Sequence, residues 1–190
     1  MEFQTTDLKK GLKVEVDGKP YNIIKSDFTN PGKGSAFVKV KLKNLEDGSV
    51  LERTYKSGVS TGVVKPDLEE KEVEYMYEDP DGFNFMDQGN YETIHVLADQ
   101  VGDMKYYLQE GIRLNVLYYK GNPISIEPPT FVNLKVEETD PGLKGDTASG
   151  GTKKAIMETG LQINVPLFIK QGEVLKVDTR TGEYVERVNS

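Results

Sequence analysis

The chain has 190 residues, 36% of them hydrophobic and 29% charged, with 19 glycines, one histidine and no cysteine. The lack of cysteine excludes disulfides, thiolate catalysis and zinc–thiolate sites, and a single histidine leaves no catalytic triad or typical zinc site to assemble. No apolar run approaches the roughly 18 residues of a membrane span, and no signal pattern opens the chain, so we expect a cytoplasmic protein that binds no membrane.

Charge is distributed unevenly along the chain. Residues 1–64 carry 11 Lys and Arg against 8 Asp and Glu, a net charge of +3. Residues 65–128 carry 5 against 14, a net charge of −9, and residues 129–190 carry 8 against 9, a net charge of −1. This pattern lacks a single basic face for duplex phosphates, but it leaves contact with RNA through the basic first third open.

Turn signals divide the first third of the chain into short strands. Asp17-Gly18-Lys19-Pro20 separates the alternating runs 14–16 and 21–24. Glu46-Asp47-Gly48 separates the runs 42–45 and 50–55. Turns of this composition between alternating runs are typical of β-hairpins.

Between these two turns lies Asn30-Pro31-Gly32-Lys33-Gly34-Ser35, followed by a strand-like run from Ala36 to Leu42. Pro31 fixes one backbone angle, and Gly32 and Gly34 allow positive φ on either side of Lys33. Such a turn can project a long cation away from a rigid sheet. On its own the pattern is more typical of a solvated hairpin tip than of a functional site.

An internal repeat organises the rest of the chain. Gly111-x-x-Leu114-x-Val116-x4-Gly121 has the spacing of Gly172-x-x-Leu175-x-Val177-x4-Gly182, and Met-acid-x-Gly precedes each copy at 86–89 and 157–160. The first copy holds about ten extra residues, the length of a short helix predicted from Ala98 to Leu108. The repeat predicts two related five-stranded barrels, the first with an inserted helix.

Three domains follow from these boundaries. We predict an all-β protein of three small barrels over residues 1–64, 65–128 and 129–190. Val64-Lys65-Pro66-Asp67 separates the first two barrels, and Glu127-Pro128-Pro129-Thr130 separates the last two. The two prolines predict an extended, stiff second joint.

Other polar segments are weaker candidates for chemistry. His95 lies in an alternating strand, where a surface position is the simpler interpretation. The acidic run 67–74 lacks the ligand spacing and turn glycine of a calcium loop, so no metal site is predicted. The glycine-rich segment 140–152 and the hairpin end 178–184 carry groups that can contact RNA, although such residues more often form a surface loop or a turn.

The chain resembles bacterial translation elongation factor P along its whole length. The motifs that carry the resemblance are Pro31-Gly32-Lys33-Gly34, Pro141-Gly142-Leu143-Lys144-Gly145-Asp146-Thr147, and Val165-Pro166-Leu167-Phe168-Ile169 followed by Lys176-Val177-Asp178-Thr179-Arg180-Thr181-Gly182-Glu183-Tyr184. The resemblance implies an SH3-like, KOW-type barrel followed by two OB-type barrels, in an elongated L shape that mimics tRNA. The acidic middle third suits a protein that imitates a polyanion.

The resemblance implies an elongation factor and not an enzyme. Such a factor is expected to bind the ribosome between the peptidyl and exit tRNA sites. It would promote peptide bond formation by positioning the peptidyl tRNA, and so relieve stalling at consecutive prolines. The implied partners are both ribosomal subunits, the peptidyl tRNA, the exit-site mRNA codon and a dedicated lysine-modifying enzyme, and we expect a monomer.

Lys33 is the central site residue that the resemblance implies. It occupies the position that family members modify after translation, commonly by β-lysylation and in other lineages by another amine extension. Pro31, Gly32 and Gly34 would position the loop. No cofactor and no catalytic residue are implied.

The resemblance also implies contacts in the last third of the chain. Gly145, Asp146 and Thr147 match a loop that touches the exit-site codon, and Arg180 and Tyr184 match a region near the small subunit. Two alternatives stay open: an elongation-factor-P-like paralogue, and a general single-stranded RNA-binding protein with aromatic stacking platforms and a basic groove.

Overall fold

The structure is a computed structural model that describes residues 1–142 and 151–188. These residues form fourteen strands, one α-helix and one 3₁₀ helix, so the predicted all-β class is confirmed. The strands are β1 (Lys13–Val16), β2 (Lys19–Thr29), β3 (Phe37–Asn44), β4 (Val50–Lys56), β5 (Leu68–Asp79), β6 (Gly82–Asp87), β7 (Thr93–Leu97), β8 (Arg113–Tyr119), β9 (Asn122–Glu127), β10 (Phe131–Thr139), β11 (Thr152–Met157), β12 (Gln162–Pro166), β13 (Val174–Asp178) and β14 (Glu183–Arg187).

The first sheet is antiparallel and has the order β1-β2-β3-β4. Its strand β3 alternates as the sequence predicts: Val38, Val40 and Leu42 are buried, while Lys39 and Lys41 face solvent. The inward side chains form one apolar cluster, because a period of two places every second residue on the same face. The buried members of that cluster are Leu8, Val14, Val16, Tyr21, Ile23, Val38, Val40, Leu42 and Val63.

The first predicted turn is shorter than its sequence indicates. Asp17 and Gly18 have φ of 51° and 74° and close a two-residue hairpin, whereas Lys19 and Pro20 already belong to β2. Pro20 pairs with Glu15, whose backbone bonds with Val64 instead: its carbonyl accepts from the Val64 N–H at 3.1 Å, and its N–H donates to Val64 O at 2.8 Å. The Glu15 carbonyl therefore needs no donor from Pro20, which explains why proline is tolerated at this position of the strand.

The second and third sheets confirm the internal repeat. The second has the order β7-β6-β5-β8-β9 and the third has the order β12-β11-β10-β13-β14. In both, the first strand in the chain is central, with the second and third strands on one side and the fourth and fifth on the other. This shared topology explains why the glycine and apolar spacings recur in the sequence.

The predicted helix lies between the third and fourth strands of the first copy. The sequence predicted a single helix from Ala98 to Leu108, whereas the structure has α1 (Ala98–Val101) followed by a 3₁₀ helix (Gly102–Tyr107). Gly102 has φ of 54°, outside the helical range, so the α-helix ends after one turn. The second copy has no helix at the corresponding connection, between Pro166 and Val174.

One residue of this inserted segment belongs to the core of the third sheet. The ring of Tyr107 is 6% exposed and packs in the cluster that includes Leu134, Val165 and Leu175. Its hydroxyl lies 3.2 Å from the position that a Cβ at Gly182 would take. The insertion is therefore part of the packing of the second copy.

The described chain divides into two compact units, residues 1–70 with 117–125 and residues 71–116 with 126–190. The first unit holds the first sheet together with the β8–β9 turn region. The second unit holds most of the repeat. The division into domains 1–64, 65–128 and 129–190 stays a prediction. Within the described residues, no helix has the length and apolar character needed to cross a membrane.

Candidate functional site

The hairpin formed by β2 and β3 positions Lys33 at the centre of its loop. Thr29 and Phe37 are the last register pair, so residues 30–36 form a seven-residue loop and Lys33 is its middle residue. Four residues of extended chain reach at most roughly 14 Å. The lysine therefore lies on a short projection whose base is a paired antiparallel sheet.

One of the two glycines in the loop has a positive φ. Gly34 has φ of 108°, which residues with a side chain rarely adopt, whereas Gly32 has no positive φ. The expectation that positive φ is available on both sides of Lys33 is therefore met only at Gly34. A Cβ at either glycine would meet no heavy atom within 4 Å, so the loop is open on both sides of the lysine.

Lys33 differs from two of the lysines on the strands that carry its loop. Lys25 Nζ lies 3.0 Å from Asp27 Oδ2, and Lys39 Nζ lies 3.1 Å from Glu52 Oε2. Lys39, as hydrogen-bond donor and neighbouring charge, lowers the pKa of Glu52 below its ordinary value. Lys33 is exposed, and across residues 1–142 and 151–188 no carboxylate pairs with it. Lys25 and Lys39 are thus neutralised by neighbouring carboxylates, and Lys33 at the tip is not.

This arrangement can deliver a positive charge to a partner. In the described part of the chain, no group of three or more His, Asp or Glu residues is arranged to hold a metal ion. His95 lies on β7 with Nε2 3.4 Å from Asp79 Oδ1, so it occupies the surface strand position that the sequence predicted. What the hairpin offers is an exposed ammonium on a rigid support.

The other predicted contact residues belong to the last third of the chain. Gly145, Asp146 and Thr147 lie outside the described residues. Arg180 makes a bidentate pair with Asp178, with Nε–Oδ1 and Nη2–Oδ2 distances of 3.1 and 2.8 Å. This contact lowers the pKa of Asp178 and raises that of Arg180. Tyr184 is half-buried against the apolar core of the third sheet.

Arg180 is thus an ordered cation with part of its donor capacity already used. Its guanidinium carbon also lies 6.0 Å from the centre of the exposed Phe131 ring. The side chain is still 68% exposed, so it remains able to meet an anion. Tyr184, packed on its inner face, can offer at most one ring face. Contact of these two residues with the small subunit stays a prediction.

A polar cluster in the first unit was not identified from the sequence. The hydroxyl of Tyr119 lies 2.7 Å from Glu15 Oε2 and 3.0 Å from Gly18 O. Lys120 Nζ lies 3.6 Å from the same carboxylate oxygen. Burial, followed by the hydrogen bond to Glu15, raises the pKa of Tyr119. Because 104 residues separate Tyr119 from Glu15, no local spacing in the sequence indicates this contact.

Comparison with protein families covers nearly the whole chain. Residues 4–60 match the elongation factor P (EF-P) KOW-like domain, residues 68–126 the elongation factor P (EF-P) OB domain, and residues 132–187 the elongation factor P C-terminal domain. The prediction of an SH3-like, KOW-type barrel followed by OB-type barrels is therefore confirmed. The short sequence motifs indicate the same family.

Curated relatives match over almost their full length. The chain is 49% identical over 186 residues to elongation factor P of Coprothermobacter proteolyticus, covering 98% of this chain and 99% of the relative. It is 47% identical to elongation factor P of Thermodesulfovibrio yellowstonii, covering 98% of both chains. A solved structure, eukaryotic translation initiation factor 5A from Methanococcus jannaschii, has a TM-score of 0.57 at 21% identity and covers 67% of this chain and 92% of its own. That likeness concerns the fold alone.

Proposed function

The chain belongs to the elongation factor P family, a family of translation factors rather than enzymes, and we propose that it relieves ribosomes stalled at consecutive prolines. It binds the ribosome between the peptidyl and exit tRNA sites. The loop at residues 30–36 reaches toward the acceptor end of the peptidyl tRNA. The site of action is the cytoplasm, where translation proceeds.

The observation that carries this proposal is the state of Lys33. It is the middle residue of a seven-residue loop, it is exposed, and no carboxylate among the described residues neutralises it. Lys25 and Lys39 of the same hairpin are paired with carboxylates, whereas the lysine at the tip is available to a partner. A lysine is protonated at neutral pH, and an RNA backbone supplies the complementary charge.

The mechanism is positioning rather than chemistry by side chains. Proline is a constrained nucleophile, and a peptidyl-proline strains the donor. Holding the donor tRNA in a reactive geometry removes an entropic part of the barrier, which is worth about 7–11 kcal/mol at the extreme. The ribosome performs the reaction, and this protein supplies an oriented cation.

Covalent extension of Lys33 is part of the proposal. A β-lysyl group or another amine extension lengthens the reach of the cation from a loop that is otherwise short. The open space around Gly32 and Gly34, where a Cβ would meet nothing within 4 Å, leaves room for a modifying enzyme to approach the lysine. The other proposed contacts are those of Gly145, Asp146 and Thr147 with the exit-site codon and of Arg180 and Tyr184 near the small subunit.

The test is a translation assay on a reporter that contains Pro-Pro-Pro. Lys33→Ala protein is expected to leave the stall in place, whereas wild-type protein relieves it. Lys56→Ala is the matched control, because Lys56 is an exposed lysine on β4 of the same sheet. Equal relief by Lys33→Ala and wild type would reject the proposal.

Two further measurements separate the charge of Lys33 from its modification. Intact mass of the protein purified from its native host shows whether an added group is present. Lys33→Arg keeps the charge but not the lysine amine, so it is expected to fail if the extension is required. If the mass equals that of the unmodified chain and Lys33→Arg is fully active, the proposed covalent extension of Lys33 is rejected. The proposal that the protein positions the peptidyl tRNA would still stand.

A further inference from the structure

Two tight turns meet in the first unit. The β1–β2 turn at Asp17-Gly18 and the β8–β9 turn at Lys120-Gly121 each have two successive residues with positive φ, 51° and 74° in the first and 49° and 80° in the second. Two such residues define the type I′ turn, whose twist matches that of the flanking strands. The hydroxyl of Tyr119, the last residue of β8, bridges the turns by its contacts with Glu15 and Gly18 O.

Lys120 is an unusual residue for its position. Asn, Asp or Gly normally occupies the first place of a type I′ turn, and a lysine there is strained by its positive φ. Strained residues of this kind persist only where their surroundings hold them. Here the N–H of Lys120 donates to Asp67 O at 3.0 Å, and its ammonium lies 3.6 Å from Glu15 and 5.0 Å from the Tyr119 ring centre.

The contact is also packed. Leu117, Tyr119 and Ile124 of the β8–β9 hairpin are buried in one cluster, against which Leu45 and Leu68 pack. The side chain of Tyr119 is 6% exposed, and that of Glu15 is 18% exposed. Buried polar groups that are fully satisfied fix one arrangement of the elements that carry them, because any other arrangement leaves a donor or acceptor unpaired.

The contact lies at the end of β2 remote from Lys33. The strand runs from Lys19, next to the β1–β2 turn, to Thr29, where the loop of Lys33 begins. At about 3.3 Å per residue its eleven residues span roughly 33 Å. A swing of about 5° at one end therefore displaces the other by about 3 Å, and a misplacement of about 1 Å can cost a factor of about 100 in rate.

We propose that Tyr119 is a positioning residue that fixes the first sheet on the β8–β9 hairpin and so sets the direction of the Lys33 loop. Glu15 accepts the hydrogen bond of its hydroxyl, and the ammonium of Lys120 lies over its ring. This inference rests on the proposed function, because it assigns Tyr119 to the delivery of Lys33. Tyr119 itself contacts no substrate. Its hydroxyl acts through the rigidity of β2.

The experiment uses the full chain, expressed in its native host so that any group on Lys33 is kept. Tyr119→Phe removes one oxygen and leaves the ring and its packing in place. Tyr77→Phe is the matched control, because Tyr77 is 56% exposed on β5. Glu15→Gln keeps an oxygen acceptor for Tyr119 but removes the ion pair with Lys120, and it serves as the second variant if Tyr119→Phe does not fold.

Two readouts are taken on each variant. Amide hydrogen exchange is expected to speed up at Lys120 by about tenfold or more in Tyr119→Phe, since a hydrogen bond to a charged group is lost, and to stay unchanged in the third sheet. On the Pro-Pro-Pro reporter, the maximal rate at saturating factor is expected to fall by about fivefold to tenfold, while the half-saturating concentration is unchanged. A residue that only stabilised the fold would leave the maximal rate of the folded protein unaltered.

The outcomes separate this inference from the proposed function. Loss of relief in Lys33→Ala together with the two expected changes in Tyr119→Phe supports both. Loss of relief in Lys33→Ala with a wild-type maximal rate in Tyr119→Phe, or with Lys120 exchange equal to that of Tyr77→Phe, overturns the inference alone. Full relief by Lys33→Ala overturns the proposed function, whatever the exchange at Lys120 does.

Discussion

The hairpin between β5 and β6 contains a glycine for which no other residue should substitute. Gly82 begins β6, pairs with Leu97 of β7 and is buried. A Cβ built on it would lie 2.2 Å from Val96 O and 3.0 Å from the Cα of Leu97. Both neighbours are backbone atoms of an adjacent strand. Gly82→Ala therefore cannot be accommodated by turning a side chain away.

The size of the effect follows from the displacement that is needed. To bring the Cβ–oxygen distance from 2.2 Å to 3.0 Å, β7 must move by at least 0.8 Å. A ladder bond of about 2.9 Å then becomes about 3.7 Å and is lost. One or two lost bonds cost about 0.5–1.5 kcal/mol each, and overpacking adds about 1–3 kcal/mol. We expect Gly82→Ala to lower the free energy of unfolding by about 2–4 kcal/mol.

Urea unfolding followed by far-UV circular dichroism and tyrosine fluorescence measures this difference, since the chain has ten tyrosines and no tryptophan. Gly32→Ala is the control, because its Cβ would meet nothing within 4 Å and its φ is not positive. That variant is expected to stay within about 0.5 kcal/mol of the wild type. An unfolding midpoint of Gly82→Ala equal to that of Gly32→Ala would refute the steric argument.

Two other expectations concern turns. Gly34→Ala is expected to destabilise the Lys33 loop by about 1–2 kcal/mol, because Gly34 has φ of 108°. The change should appear as altered NMR chemical shifts confined to residues 30–36. Identical spectra for this variant and Gly32→Ala would contradict the expectation. Hydrogen bonds, first from Asn84 and next from the Asp81 N–H, hold the pKa of Asp79 at about 2, below its ordinary 3.8. The stabilisation from this carboxylate is therefore complete above about pH 4 and is lost as the pH falls through 2. The urea unfolding midpoint of Asp79→Asn should accordingly lie furthest below that of the wild type at pH 6, and the difference should shrink toward pH 2. A difference that does not change with pH would count against a lowered pKa of Asp79.

The sequence was sufficient to predict the elements that local chemistry determines. Asp17-Gly18 is a turn in the structure, because positive φ is a property of the turn itself. The spacing of apolar residues and glycines predicted the repeat, and the two sheets have one strand order. The central position of Lys33 could be anticipated for the same reason, since a loop between two alternating runs lies at a hairpin end.

What could not be predicted depends on contacts that form only in the folded chain. The place of Pro20 inside β2 depends on Val64, which takes the backbone bonds of Glu15. The pairing of Arg180 depends on the side-chain rotamers at the hairpin end, which turn it onto Asp178. No period or spacing in a sequence encodes such contacts, since each requires the sheets to be formed first.

The place of Tyr107 has a consequence for how the last third of the chain can be studied. Its ring is buried among residues of β10 to β13, although it comes from the connection before β8. A fragment cut at Pro128-Pro129 would lose that ring and open a void beside Gly182, so the repeated halves are not interchangeable modules. A C-terminal fragment that folds on its own therefore has to begin upstream of α1. Unfolding of one copy of the repeat should destabilise the other.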